Sequence, residues 1–550
     1  MKFASLALVL MLAGLGAAGQ ATAAAGKPVL HIDCAAASSA AADGSLQRPL
    51  NGLDQLNAIR FAPGTRILFK RGATCHGSFR PKAGSSGTAD APIVVDSYGS
   101  AAAPRAAIAA GCRVARPDPQ QALTKASMRP EGVSPYYSLC TADDGIVNRA
   151  AVHLLNVEYW EINGLELSND GLDEAGRVGL LVQLEDFGTG HHFRINDVYV
   201  HHVRGYLKDE PNRKLAYKST GGILFEVTRD GELPGAKQKK TNFDDVLVEN
   251  SEVYHVDGIG LSNRSAWLCR PRGAPCGDFP PYKGNLSYLT DPATEAATDF
   301  YPSTRLVFRN NKIHDIGGDG LIVRTALAPL VEANLLHDIW MRAPGNSAGA
   351  WAINTDGAVF QYNEVYGVRL PAGMADGMAF DADMGTRQTR IYANYSHDNA
   401  GGLMLFCACG KDGLGQQAMA ESVVVERNLS INDRHRLILV AGLDSAVVSD
   451  NLIISDSATP LLESHDNGTI DVLEMRGNRF VSTGGSGTLY RPYSKSGSYA
   501  RFVWRDNTFH GYPASTQGGV ATSTASVDVN SLVAQWFAAT QFRQRGYQSH

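Results

Sequence analysis

Short runs in which apolar and polar side chains alternate, each opened by an asparagine, recur through the second half of the chain. The asparagines are Asn311 (NKIHDI), Asn334 (NLLHDI), Asn363 (NEVYGV), Asn394 (NYSHDN), Asn428 (NLSIND), Asn451 (NLIISD), Asn478 (NRFVST) and Asn507 (NTFHGY). Their spacings run from 23 to 34 residues and average 28. Looser copies begin at Asn196 (NDVYVHHV) and Asn250 (NSEVYHV). A repeat of this size is one supersecondary unit of a solenoid. The runs are too short for amphipathic helices, and their β-branched alternation suits strands. The expected fold is all-β, a right-handed parallel β-helix whose coils stack at the strand spacing of roughly 4.8 Å. The asparagines then form a ladder, each carboxamide bonding the same residue one coil away, which is a structural role.

A second strand follows a polar turn in each coil: Asp257-Gly258-Ile259-Gly260-Leu261, Asp319-Gly320-Leu321-Ile322-Val323-Arg324, Asp376-Gly377-Met378-Ala379-Phe380-Asp381 and Gly401-Gly402-Leu403-Met404. The Asp-Gly and Gly-Gly openings suit a backbone with positive φ. Alternation places Ile259, Leu261, Leu321, Val323, Met378 and Phe380 inward. Short capping helices are expected at both ends, over 51–61 and over 529–540 with Asp528 as N-cap. Insertions rich in Pro, Gly and charge at 113–147, 204–219, 229–243 and 267–303 leave the stack and can wall a cleft. The expected organisation is a signal peptide at 1–23, an N-terminal cap and first coils at 24–110, the β-helix with its loops at 111–512, and a C-terminal capping segment at 513–550.

Composition narrows this further. With 44% hydrophobic and 19% charged residues the chain can bury a large core. The net charge of −5 shows no basic domain, so a nucleic-acid partner is not expected. Lys2, the apolar run from Ala4 to Ala18 and the small residues at 21–25 read as a cleaved signal peptide. No later segment is apolar enough to span a membrane. A secreted or periplasmic monomer is expected. The eight cysteines, an even count in an exported chain, favour disulfides. Cys269 and Cys276 bracket a loop they can close, whereas Cys407-Ala408-Cys409 lacks the partners of a zinc site.

The string Asp43-Gly44-Ser45, Pro49, Leu53, Leu56-Asn57, Pro63-Gly64, Ile67 to Gly72, Gly84 to Thr88, Ala91-Pro92-Ile93 and Tyr98-Gly99 resembles the start of bacterial right-handed β-helix proteins of the pectate-lyase-like superfamily. Asp376 to Asp383, followed by Asn394 to Gly402, also resembles a motif of such proteins. The nearest subgroup is the β-helix glycoside hydrolases that include fucosidase and xylanase activities. The resemblance implies a polysaccharide or oligosaccharide substrate. It leaves the reaction open, because the superfamily holds lyases, hydrolases, epimerases and esterases.

Asp381 and Asp383 lie two apart on one strand, so both carboxylates should project from the outer face. Such a pair can divide into a general acid and an ionised partner. Competing readings are a Ca²⁺ site, the only cofactor anticipated, or a solvated face. Asp376 adjoins the pair and is a secondary catalytic candidate, though Asp319 and Asp376 also read as turn residues. Arg324, five residues after Asp319 as Asp381 is after Asp376, should share the register of Asp381 and bind substrate oxygen, or else form a structural ion pair. Trp351 in the intervening coil stacks on a sugar if outward and is core if inward. His397 could bind substrate or act as base. But His314-Asp315, His337-Asp338 and His397-Asp398 repeat in phase, which favours a stacking role. Asn354-Thr355-Asp356-Gly357 imitates a polygalacturonase motif by chance. The leading reading is a glycoside hydrolase. A Ca²⁺-dependent lyase acting on uronates and a non-catalytic carbohydrate-binding β-helix are the alternatives.

Overall fold

The computed structural model describes residues 28–111, 149–171, 175–207, 216–228, 239–268, 270, 300–408, 410, 416–456, 459–465, 470–484, 489–492, 502–512, 521–523 and 527–549. The expected signal peptide, most of the Cys269–Cys276 loop and most of the long insertions lie outside these residues.

The strands assemble into three parallel sheets of 15, 14 and 11 strands. The first begins with Val29–Ile32, the second with Thr74–His76 and the third with Ala150–Leu155. Each successive coil adds one strand to each sheet, which makes the chain a right-handed parallel β-helix. The corner between the first and second sheets is a single left-handed residue. Asn310, Ala333, Tyr362, Ala393, Arg427, Asp450, Gly477 and Asp506 hold φ between 50° and 62°, each immediately before a repeat asparagine.

Those asparagines form the anticipated ladder. The Asn363 Oδ1 accepts from the backbone N of Asn334 at 3.0 Å and from its Nδ2 at 2.9 Å. The Asn363 Nδ2 donates to Val331 O at 2.9 Å and to Asn394 Oδ1 at 3.0 Å. The same set repeats from Asn311 to Asn507. Each carboxamide thereby satisfies a buried corner where strand pairing stops. In the looser coil the position is held by Ser251, whose N donates to Asn311 Oδ1 at 3.1 Å. Asn250 instead joins an outer ladder with Asn196 at 2.8 Å and Asn310 at 2.9 Å.

The third sheet departs from simple alternation. Gly260, Gly320, Gly349 and Ala379 form one column at its entry edge, against second-sheet core residues Ile313, Leu336 and Val365. A Cβ on Gly320 would lie 2.5 Å from Gly349 O and 2.9 Å from Leu336 Cδ2. Space, not positive φ, demands glycine at this position; of the turn glycines, Gly377 (φ 90°) and Gly402 (φ 123°) do have the positive φ the sequence suggests. Both the glycine and the next residue therefore face inward. Leu261, Leu321, Val323 and Phe380 enter the central core as expected, but Ile259 and Met378 fall on the outer side of the sheet.

The helix Leu53–Asn57 closes the N-terminal end, its Leu53 and Leu56 buried with Phe61, Phe69 and Phe79. A disulfide joins Cys34 to Cys75 in the first coils, and Cys407 is also disulfide-bonded. The helix Val529–Thr540 starts at Asp528, whose carboxylate accepts from Ser531 N at 3.1 Å. It lies along the flank of the second sheet, where Trp536 donates to Arg427 O at 2.8 Å and packs with Tyr395 and Phe542. No helix among the described residues is long and apolar enough to cross a membrane.

Candidate active site

The outer face of the third sheet is where the candidate chemistry collects. Register places Ile322, Trp351, Asp381, Leu405, Leu439 and Glu463 in one column, coil after coil. Trp351 therefore points outward, away from the central core. Arg324 pairs with Ile353, one position further along, and so belongs to the column of Asp383 rather than that of Asp381. The turn Asp376–Ala379 is two residues longer than Asp319–Gly320 before the shared column, which shifts the count by two.

Outward does not mean exposed. Asp381 is 5% and Asp383 8% accessible, and Arg324 and Trp351 are buried as well. Asp319 sits on the outer column of Ile259, Ala348 and Met378, so it enters the site rather than serving only as a turn residue. Its Oδ1 accepts from Trp351 Nε1 at 3.0 Å and from Ala348 N at 3.2 Å. Its Oδ2 is 3.1 Å from Lys218 Nζ. Lys218 comes from the short 3-10 helix Ala216–Ser219, at the end of an insertion, and its ammonium lies 4.8 Å from the centroid of the Trp351 ring. The guanidinium of Arg324 approaches the same ring to 5.0 Å. Tyr217 is fully buried and donates to Asn346 O at 2.7 Å.

Four carboxyls thus share this region with one lysine. Burial pushes the Asp376 carboxyl up to about 6, with Asp319 adding to the rise and Lys218 and Arg436 opposing it. Asp376 is only half-buried, which leaves it a path to solvent. Burial, then the charges of Asp383, Asp376 and Asp319, hold Asp381 well above the carboxylate range. Its Oδ1 is buried without a hydrogen-bond partner among the described residues. Asp383 ends the strand with its Oδ1 accepting from Met384 N at 2.7 Å. Beyond Asp376 lies a second charged group. Burial pushes Glu463 up, but His465, Arg491 and Arg436 outweigh it and bring it down to about 2.

Asp376, Asp381, Asp383, Arg324 and Trp351 are therefore neighbours on one face. His397 is not among them. It lies on the second sheet, its ring 4.6 Å from Tyr366 and 4.4 Å from Tyr395. Its nitrogens meet Asp398 at 2.9 Å and Glu364 at 3.2 Å. It ends a stack that continues through His337 and His314, the in-phase histidines. Lys218 and Tyr217 escaped sequence reasoning because they lie in an aperiodic insertion. Asp319 was visible as a motif, but its direction depends on the glycine column. The Asn354–Gly357 corner is structural: Asn354 Nδ2 donates to Leu268 O at 2.8 Å and Asp356 pairs with Arg270 at 2.7 Å, pinning the base of an insertion beside Asp383. No group of three His, Cys, Asp or Glu side chains is arranged to hold a metal ion among the described residues.

No protein-family model matches the chain. A lacto-N-biosidase of Bifidobacterium longum subsp. longum is 23% identical over 486 residues, 80% of this chain. The chain spans only 28% of that relative's length. Crystal structures of a GH136 lacto-N-biosidase from Eubacterium ramulus, native and selenomethionine forms, superpose with a TM-score of 0.59 at 21% identity, covering 88% of this chain and 68% of that one. The structural likeness shows a shared β-helix fold.

Proposed function

We propose that the chain is an exported glycoside hydrolase acting on an oligosaccharide or polysaccharide, with its reaction centre at Asp376, Asp381 and Asp383. The observation that carries this reading is a cluster of acids buried on one outer face, of which Asp376 keeps a path to solvent. Asp376, at about 6 and half-buried, is suited to hold a proton near neutral pH and deliver it to a leaving-group oxygen. Asp383, hydrogen-bonded by Met384 N, is the partner carboxyl on the far side of the bond, as base or nucleophile. Burial and the neighbouring carboxyls hold Asp381, between them, well above the usual carboxylate range, which disfavours a further negative charge in the cluster. Trp351, pinned by Asp319 and flanked by two cations, is a wall of the site.

The names borne by the relatives, glycosidases in both cases, support the same class. A lyase would draw its base from the cations beside the cluster, of which Lys218 is already engaged by Asp319 at 3.1 Å. A glycan screen read by mass spectrometry tests the proposal. Products that carry the mass of added water support it, unsaturated fragments move the reading to elimination, and intact glycans after long incubation leave a binding protein.

A further inference from the structure

Lys218 is the one lysine in contact with the carboxyl cluster among the described residues, and it arrives there from outside the repeat. Its ammonium is buried, 3.1 Å from Asp319 Oδ2 and 4.8 Å from the Trp351 ring centroid. Trp351 is tied to the other oxygen of the same carboxylate at 3.0 Å. We infer that Lys218 and Asp319 are positioning residues, a braced ion pair whose opposite charges act on Asp376 from one side and hold it ready as proton donor. This rests on the glycosidase reading.

A buried ion pair is a poor stabiliser, because desolvation offsets the attraction. Its placement needs another reason, and the neighbours supply one. The groups facing Asp376 are Lys218, Asp319, Asp381, Tyr217, Arg436 and His465. Tyr217, the residue before Lys218, meets Ser347 Oγ at 3.1 Å, and Ser347 O accepts from the N of Gly377, next to Asp376, at 3.0 Å, while Asp319 shares the column of Met378, two residues after Asp376. Because Lys218 and Asp319 are bonded to each other, the insertion that carries Lys218 and the strand entry that carries Asp319 set the donor jointly.

The pair makes a prediction that a merely structural role does not: its two halves should move the donor in opposite directions. With an oligosaccharide the enzyme is found to cleave, the alkaline limb of kcat/KM against pH reports loss of the donor proton. Lys218→Met should move that limb upward by about one pH unit, the scale of one neighbouring charge. Asp319→Asn keeps the shape and the Trp351 contact and should move it downward by a similar amount. Lys218→Arg should restore the wild-type position. Asp319→Asn alone decides the matter if the methionine variant does not fold. Limbs that stay put, or move the same way in both variants, overturn the inference. Full turnover in Asp376→Asn and Asp383→Asn would instead overturn the glycosidase site, so the two failures are distinct.

Discussion

Replacing Asn363 by alanine removes one rung of the inner ladder, and the hydrogen bonds around it set the cost. Four bonds are lost, but three of the four partners keep another. Asn334 Nδ2 still donates to Phe308 O at 2.9 Å, and Asn394 Oδ1 still accepts from the backbone N of residue 363 at 2.9 Å. The Val331 carbonyl keeps its place in the strand pairing with Phe360, so one group is orphaned in a fully buried corner, the Asn334 N–H. At about 1–3 kcal/mol for an unsatisfied buried group, the variant should lose about 2 kcal/mol. The outer ladder supplies the control. Asn196, Asn250 and Asn310 are only half-buried, so water replaces the lost partners, and Asn196→Ala, at a position without positive φ, should cost about 1 kcal/mol or less. Equilibrium unfolding in guanidinium, followed by tryptophan fluorescence, measures both through the midpoint at constant slope. Equal losses in the two variants would refute the claim that satisfying buried corners, rather than carboxamide stacking as such, is what the ladder contributes.

Asp376→Asn and Asp383→Asn should each lower turnover by at least about 10²-fold, the usual span of general acid–base catalysis, with the circular dichroism of the folded chain retained. Asp376→Asn should also stabilise the protein above neutral pH. Its folded pKa of about 6 exceeds the ordinary 3.8, so the wild-type carboxyl penalises folding increasingly as pH rises through that window, and the variant's advantage should fade below pH 3.8. Unfolding curves from pH 3 to 8 check the sign. Trp536→Ala should detach the C-terminal helix, at a local cost of about 3–5 kcal/mol, and expose it to limited proteolysis while the coils remain protected from hydrogen exchange.

The fold was legible because its determinants repeat. An inner-ladder asparagine must recur wherever a coil turns the first corner, so Asn311 to Asn507 announce the architecture in the bare sequence. The phase of His314, His337 and His397 likewise revealed a stack. The site was legible only in part, because it is made of exceptions to the repeat. Aligning Asp319-Gly320 with Asp376-Gly377 was reasonable from sequence, yet it set Arg324 beside Asp381 when register sets it beside Asp383's column. What the alignment lacked was the crowding at Gly320 and Gly349, which turns a glycine and its successor inward together and sends Asp319 outward. Lys218 had no period to betray it.

Where the buried charges lie is itself an argument about which face works. On the first sheet, ion pairs such as Arg305–Asp244 and Arg309–Glu249 sit at the surface, where water shares their load. On the outer face of the third sheet, Arg149, Glu226 and Arg264, then Lys218 and Asp319, then Arg436 and Glu463, are all nearly inaccessible. Apolar side chains at these positions would stabilise the stack as well or better, since desolvating ions costs more than pairing them returns. Leu405 and Leu439, in the same column as Asp381, show that the sheet accepts them. A face that keeps ions where leucine fits has given up stability for something else, and a reaction centre on this face, as proposed, supplies that reason.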